Sequence, residues 1–186
     1  GKILLQEKNQ LVMSPNGHGG SLKALVESGS IGLMEEEGIE CISYFQVDNP
    51  MVYCMDPTFI GLHKASGSEM SSKAVKKLSP KERVGTFVQI GETLQVMEYS
   101  DIPPQISSEK LKNGSLRFGL GSIAIHLLER NFVNRVAGSK KIKRQGLKYH
   151  GAHKKVCCLD NKGSRVDPQK PNAIKAETFV FDALPL

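Results

Sequence analysis

Tryptophan is absent from this 186-residue chain, and tyrosine occurs only four times. So few flat aromatic surfaces leave little for unpaired bases to stack on, which argues against a dedicated single-strand reader and against a nucleic-acid partner. No apolar run approaches the ~20 residues that a membrane-spanning helix needs. The opening GKILLQEKNQ shows no charged, apolar, small-residue leader pattern, so a cytoplasmic protein without a membrane partner is expected. The four cysteines, Cys41, Cys54, Cys157 and Cys158, include an adjacent pair and no CxxC spacing, so reduced thiols are expected rather than a disulfide framework. No repeat, low-complexity stretch or clear linker divides the chain, which reads as one domain or a large part of one.

What the chain does have is positive charge. A net charge of +6 and a pI near 9.1 fit an anionic partner: nucleic acid, nucleotide or phosphosugar. Lys140, Lys141, Lys143, Arg144, Lys148, Lys154 and Lys155 concentrate it. The second feature is SPNGHGG, Ser14 to Gly20. Gly17, Gly19 and Gly20 carry no Cβ, so their backbone N–H groups can approach an anion, and the loop runs into a helical stretch at Ser21 to Glu27 whose N-terminus also favours negative charge. A second helical stretch, Ile31 to Glu37, leads to a strand at Cys41 to Val47 whose unalternating apolar run fits burial on both faces. This order of strand, helix and strand suggests a parallel α/β sheet, with Asp48 just past a strand's carboxyl end, where open α/β sheets place ligands.

Elsewhere, Lys2 to Met13 reads as extended chain entering a sheet, and Pro57 opens a helix through about Lys64. Met70 to Val75 and Arg83 to Ile90 read as strands, and Gly91 and Glu92 turn the chain into Thr93 to Tyr99 as a hairpin. A helical stretch is expected near Ser107 to Lys112, a buried helix over Ile123 to Val136, and a final helix around Ala173 to Phe181. Val156 to Leu159 and a turn at Asp160 to Gly163 lie between the last two.

Taken in order, GKILLQEKN, SPNGHGG, YFQVDNP, VMEYSDI and KPNAIKAETFVFDA resemble the catalytic domain of the UDP-N-acetylhexosamine pyrophosphorylases over essentially the whole chain. The resemblance implies an α/β, Rossmann-like nucleotide-diphospho-sugar transferase (GT-A-like) domain with a mixed central sheet. It also implies a Mg²⁺-dependent uridylyltransferase forming UDP-N-acetylglucosamine, or its galactosamine epimer, and pyrophosphate from UTP and the sugar 1-phosphate. Uridylyltransferases acting on glucose 1-phosphate tend to carry an acid after the G-H-G, where this chain has Gly20, and that tilts the match toward the N-acetylhexosamine branch. The family's catalytic Gly-rich loop and a later phosphate-binding lysine have no counterpart here, so residues 1–186 are expected to be an internal part of a longer catalytic domain, working as a monomer.

Carried over by position, Asp48 is the metal ligand and Lys155 the catalytic cation. Pro15, Gly17 and His18 line the uridine pocket. Gly85, Glu98, Tyr99 and Ser122 surround the sugar, and Phe179 and Phe181 wall its N-acetyl side. His18 and Ser122 depart from the pattern, each standing where the family has asparagine. Read without the resemblance, Asp48 makes a turn after a strand, Glu98 a cross-strand pair, the two phenylalanines core, and His126 a satisfied structural histidine on an apolar helix. Two alternatives remain open at this point: the same chemistry on glucose 1-phosphate or a broader set of sugars, and a catalytically silent basic module binding nucleic acid through Lys140 to Lys155. A zinc site from His150, His153, Cys157 and Cys158 is disfavoured, because neighbouring residues of a strand point to opposite faces.

Overall fold

The chain opens on a small hairpin of β1 (Leu5–Glu7) and β2 (Gln10–Leu11) in the computed structural model, which describes residues 2–138 and 146–186. Among the described residues this hairpin forms its own two-stranded sheet rather than an entry into the main one. Helices α1 (Gly20–Glu27) and α2 (Ser30–Glu36) follow, broken at Gly29, whose φ of 80° is left-handed. The chain then extends into β3 (Cys41–Tyr44). Asp56 caps α3 (Pro57–Ser66), its carboxylate accepting from the Thr58 and Phe59 N–H groups at 3.0 and 3.4 Å. Pro57 presets the first turn, and Gly67 ends the helix in the left-handed region.

Next come β4 (Met70–Lys76) and a hairpin of β5 (Thr86–Ile90) and β6 (Thr93–Met97), followed by a single turn of helix, α4 (Pro104–Ser107). Strand β7 (Leu120–Glu129) passes directly into α5 (Arg130–Gly138). The described chain resumes with β8 (Tyr149–Lys154), the short pair β9 (Cys158–Leu159) and β10 (Arg165–Val166), and β11 (Ala173–Thr178), which pairs with β8 along its whole length. A 3₁₀ turn, Val180–Ala183, follows.

The main sheet is organised around β7. Leu128 and His126 of β7 pair with Ile42 and Tyr44 of β3 on one side, and with Met70 and Ser72 of β4 on the other. Lower down, Gly121 pairs with Thr86 of β5. All described pairings are antiparallel, which corrects the expectation of a parallel sheet. Strands β3 and β4 do run the same way, joined by the α3 crossover, but β7 lies between them and supplies their hydrogen bonds.

Three further readings are corrected here. The apolar run Ile123 to Val136 is a strand that becomes a helix at Arg130, because β3 and β4 both bond it through Glu129. The expected final helix is β11 followed by a 3₁₀ turn, because β8 offers an edge in register from Ala173 to Thr178. The helix expected at Ser107 to Lys112 ends at Ser107, its single turn starting after Pro103.

One face of the sheet carries the principal core. Leu22 of α1, Ile31 of α2, Phe132 and Val133 of α5, and Val180 and Ala183 of the 3₁₀ turn pack on Leu128. Burying each of the larger of these side chains contributes roughly 2 kcal/mol. On the opposite face His63 of α3, almost fully buried, bonds Ser71 Oγ through Nδ1 at 2.7 Å and Glu129 through Nε2 at 3.0 Å, fixing the helix to the sheet. A charged group is buried at Lys77, whose ammonium donates to Thr86 Oγ1 at 2.9 Å.

Candidate active site

The loop Ser14 to Gly20 is fastened to the far end of the chain. The Gly19 N–H donates to the Thr178 carbonyl at 2.8 Å, and the Asn16 carbonyl accepts from the Thr178 N–H at 3.2 Å and its hydroxyl at 3.0 Å. This strap explains the glycines better than a phosphate cradle does. Gly17 has φ +62°, and a Cβ there would stand 2.4 Å from the Thr178 carbonyl oxygen; at Gly19 it would meet the Thr178 and Phe179 backbone at 2.7 Å. Gly20 begins α1.

The strap delivers His18 into an aromatic cluster. Its ring centroid lies 5.0 Å from Phe179, 5.7 Å from Phe181 and 6.0 Å from Tyr44. The Val180 N–H donates to His18 Nδ1 at 3.1 Å, so Nδ1 is an acceptor and the neutral ring carries its proton on Nε2. Burial pushes the imidazole pKa down against the opposing pull of Glu177, keeping the ring neutral as a lone N–H donor. Phe179 and Phe181 also pack on each other at 5.1 Å, and His150 of β8 packs on Phe179 at 4.8 Å. His150 Nε2 in turn bonds Asp182 Oδ2 at 2.8 Å.

Glu98 and Gly85 enter from the β5–β6 hairpin. A Cβ at Gly85 would come within 2.7 Å of Val96 Cγ1 and 3.7 Å of Glu98 Oε1, so its absence leaves open the approach to that carboxylate. Burial raises the Glu98 pKa, helped by Asp101 and Asp182 and opposed by His150. The Ser122 N–H donates to the Gly85 carbonyl at 2.7 Å, placing Ser122, nearly buried, beside them. The structure therefore brings together Gly17, His18, Gly85, Glu98, Ser122, Phe179 and Phe181. Tyr44 and Asp182 join them without having been singled out from the sequence, and so does His150, which enters there only as part of a disfavoured zinc set. The FVFD run contained Asp182 in plain view, and YHGAHKK contained His150.

His126, expected on a helix and satisfied, is neither. It lies on β7, fully buried and stacked on Tyr44 at 5.7 Å. Its Nδ1 shares a 2.8 Å hydrogen bond with Ser72 Oγ, and its Nε2 has no partner among the described residues. Burial, and then the repulsion that would arise if His18 were protonated too, lower its pKa from 6.5 to about 4. An unfolded chain takes up this proton near pH 6.5 while the folded one resists until about pH 4, so stability is lost progressively as pH falls through that window, by about 3 kcal/mol in all. Urea midpoints of the full-length protein at pH 7 and pH 4.5 measure this. His126→Leu should flatten the difference, and an unchanged pH dependence in that variant would assign the acid lability elsewhere.

The remaining expected residues lie outside the cluster. Pro15 and Tyr99 are exposed, and Asp48 sits exposed in the turn after β3, where its carboxylate has no bonding partner among the described residues. Lys155 lines a cavity of about 890 Å³ together with Lys2, Ser14, Lys154 and Lys175. Lys175, on β11 and also within 2.6 Å of Glu177, is a cation that the sequence reading passed over. The basic segment expected at Lys140 to Lys148 falls largely outside the described residues. Cys157 is exposed and donates to Asp167 at 3.2 Å, while Cys158 is buried, as their opposite strand faces require.

Two places bear on a cation. Cys41, His63 and Glu129 hold donor atoms within 4.8 Å of one another, but both His63 nitrogens are engaged and Lys64 donates to Glu129 at 2.8 Å. That mixed sulfur, nitrogen and oxygen set is a brace, ill suited to Mg²⁺. The exposed carboxylate of Asp48, unpaired among the described residues, does suit it, since Mg²⁺ takes one or two carboxylates and draws the rest of its shell from water and phosphate oxygens.

Comparison with known proteins gives a consistent picture. The family described as UTP–glucose-1-phosphate uridylyltransferase matches residues 2–179. UDP-N-acetylhexosamine pyrophosphorylase-like protein 1 of Xenopus tropicalis is 39% identical over 182 residues, 98% of this chain and 35% of that protein. A probable UDP-N-acetylglucosamine pyrophosphorylase of Dictyostelium discoideum is 37% identical over 187 residues, 100% of this chain and 38% of that protein. The chain thus spans little more than a third of these relatives' length. Among solved structures, a putative UDP-N-acetylglucosamine pyrophosphorylase from Entamoeba histolytica superposes with a TM-score of 0.85 at 36% identity, covering 100% of this chain and 44% of that one.

Proposed function

Because this chain belongs to the UTP–glucose-1-phosphate uridylyltransferase family, with the nucleotide-diphospho-sugar transferase fold, we propose that the protein carrying it forms UDP-N-acetylglucosamine, or the galactosamine epimer, from UTP and the sugar 1-phosphate. One observation carries the choice of sugar. Phe179 and Phe181 pack against His18 at 5.0 and 5.7 Å, with the half-buried Glu98 within electrostatic reach through His150 and Asp182. An acetamido sugar needs both surfaces: an apolar wall for its methyl and convergent polar groups for its hydroxyls and amide.

In this reaction an oxygen of the sugar 1-phosphate attacks the α-phosphorus of UTP. The bond from that phosphorus to the bridging oxygen breaks, and pyrophosphate leaves with the electron pair. The protein's work is positioning and charge neutralisation. Glu98, ionised, accepts hydrogen bonds from ring hydroxyls; His18 offers its Nε2–H to a carbonyl or phosphate oxygen; Pro15 and Gly17 border the uridine. Lys155, with Lys154 and Lys175 on the same cavity, meets the phosphates. Asp48 would hold Mg²⁺, which when bound supplies neutralisation of the phosphate oxygens. The same reading makes the protein a monomer acting on small molecules in the cytoplasm, with no nucleic-acid partner. Among the described residues no helix is long and apolar enough to cross a membrane.

Ser122 favours a second reading, turnover of glucose 1-phosphate, because its short side chain gives up the reach that an asparagine would have. Pyrophosphate release from UTP by the full-length protein, with N-acetylglucosamine 1-phosphate and glucose 1-phosphate in parallel, with and without Mg²⁺, separates them. A preference for the N-acetyl sugar of about tenfold or more is expected, since a bound methyl and carbonyl contribute about 1–3 kcal/mol of discrimination. Indifference to the N-acetyl group would overturn the reading.

A further inference from the structure

We propose that His150, clamped by Asp182, is a positioning residue that sets the site's discrimination between acetamido and plain hydroxyl sugars; this rests on the uridylyltransferase reading above. The argument begins with Phe179. Its ring is held between two imidazoles, His18 at 5.0 Å and His150 at 4.8 Å, tilted by 31° and 38°. His18 is tied from below by the Val180 N–H, and His150 from the side by Asp182. Both ties end on the 3₁₀ turn Val180–Ala183, which directly follows Phe179 and contains Phe181. The wall of two phenylalanines is thus fixed to the loop before α1 on one side and to β8 on the other.

The His150–Asp182 bond is shielded, its side chains being only 19% and 12% exposed, so it holds more firmly than a surface pair would. It has an electrostatic consequence too. Glu98 feels His150 as a favourable neighbour, and Asp101 and Asp182 as unfavourable ones. Asp182, its pKa raised by burial, is in turn supported by His150 and, more weakly, by Lys148. Taking away His150 releases the ring wall and leaves Asp182 uncompensated near Glu98. The first loss falls on an acetamido group alone, because a hydroxyl at that position has no methyl to pack. The second is felt by both sugars through Glu98. Discrimination therefore falls as well as affinity.

The test uses the full-length protein, first unaltered and then as His150→Gln and Asp182→Asn, with KM and kcat measured for UTP and both sugar 1-phosphates between pH 6 and pH 8.5. For His150→Gln the expected result is an increase of about tenfold in KM for N-acetylglucosamine 1-phosphate, with kcat and the KM for UTP within about twofold, and a matching fall in the kcat/KM ratio of the two sugars. Asp182→Asn keeps an acceptor oxygen for the ring N–H and should retain most of the discrimination at pH 8. In the unaltered protein discrimination should weaken as falling pH protonates Asp182, whose carboxyl burial holds above its ordinary range; in Asp182→Asn that drift should shrink. Equal losses on both sugars, or a loss in KM for UTP, would reduce His150 to general scaffolding and overturn the proposal. Should His150→Gln fail to fold, Asp182→Asn and its pH profile decide alone. An unaltered protein that does not prefer the N-acetyl sugar would instead bring down the functional reading on which the proposal rests.

Discussion

Asp48→Ala in the full-length protein is expected to lower Mg²⁺-dependent pyrophosphate exchange by on the order of 10³-fold, with its unfolding midpoint unchanged. The two halves of that expectation come from one observation. Asp48 is exposed and unbonded among the described residues, so no described contact of the fold depends on its carboxylate. A hard cation held by a single protein carboxylate loses its anchor when that group goes, and each tenfold in rate corresponds to about 1.4 kcal/mol of transition-state stabilisation. Raising Mg²⁺ should restore part of the exchange in Asp48→Asn, which keeps an oxygen donor, and less of it in the alanine variant. Exchange within about tenfold of the unaltered protein in Asp48→Ala would leave the metal to other groups.

Gly17→Ala should be nearly as damaging, by a different route. The substitution adds a Cβ 2.4 Å from the Thr178 carbonyl oxygen at a residue whose φ is +62°. The left-handed conformation costs an alanine about 1–2 kcal/mol, and the overlap with fixed backbone about as much again or more. Gly29 supplies the control. Its φ is +80° and a Cβ there would meet nothing within 4 Å, so Gly29→Ala should show the conformational cost alone. Thermal or urea midpoints of the two variants separate the contributions. The strap also aims His18, so Gly17→Ala should raise the KM for substrate, whereas Gly29→Ala should not. Equal destabilisation by the two would mean that the loop is not seated on Thr178.

Local chemistry made much of this fold legible. Pro57 announces the start of α3, and Gly91 with Glu92 the β5–β6 turn, because such signals act within a few residues. What escaped was decided by distant partners. SIAIHLLERNFVNRV carries apolar residues on any face one chooses, as a strand buried on both sides must, and only the edges of β3 and β4 make it extended as far as Glu129. AIKAET is built largely of helix-forming residues, yet β8 recruits it. The candidate site was legible as a set of motifs, but not as a geometry. Nothing local says that His18 would stack on Phe179, that His150 would find Asp182, or that His126 would be buried with one nitrogen lacking a partner among the described residues.

The long-range strap has a further implication, which concerns the order of events as the chain is made. Strands β3 and β4 present their edges to β7, which leaves the ribosome dozens of residues after them, so neither can be capped until the stretch Leu120–Glu129 arrives. The bond from the Thr178 hydroxyl to Asn16 spans 162 positions, and the tie from Val180 to His18 spans the same distance. Contacts of such separation close late, after local helices and hairpins have formed. The nascent chain therefore carries open strand edges, and the pocket that should read the sugar is among the last parts to assemble. Chain truncated ahead of Thr178 during synthesis would hold its helices and still lack the pocket.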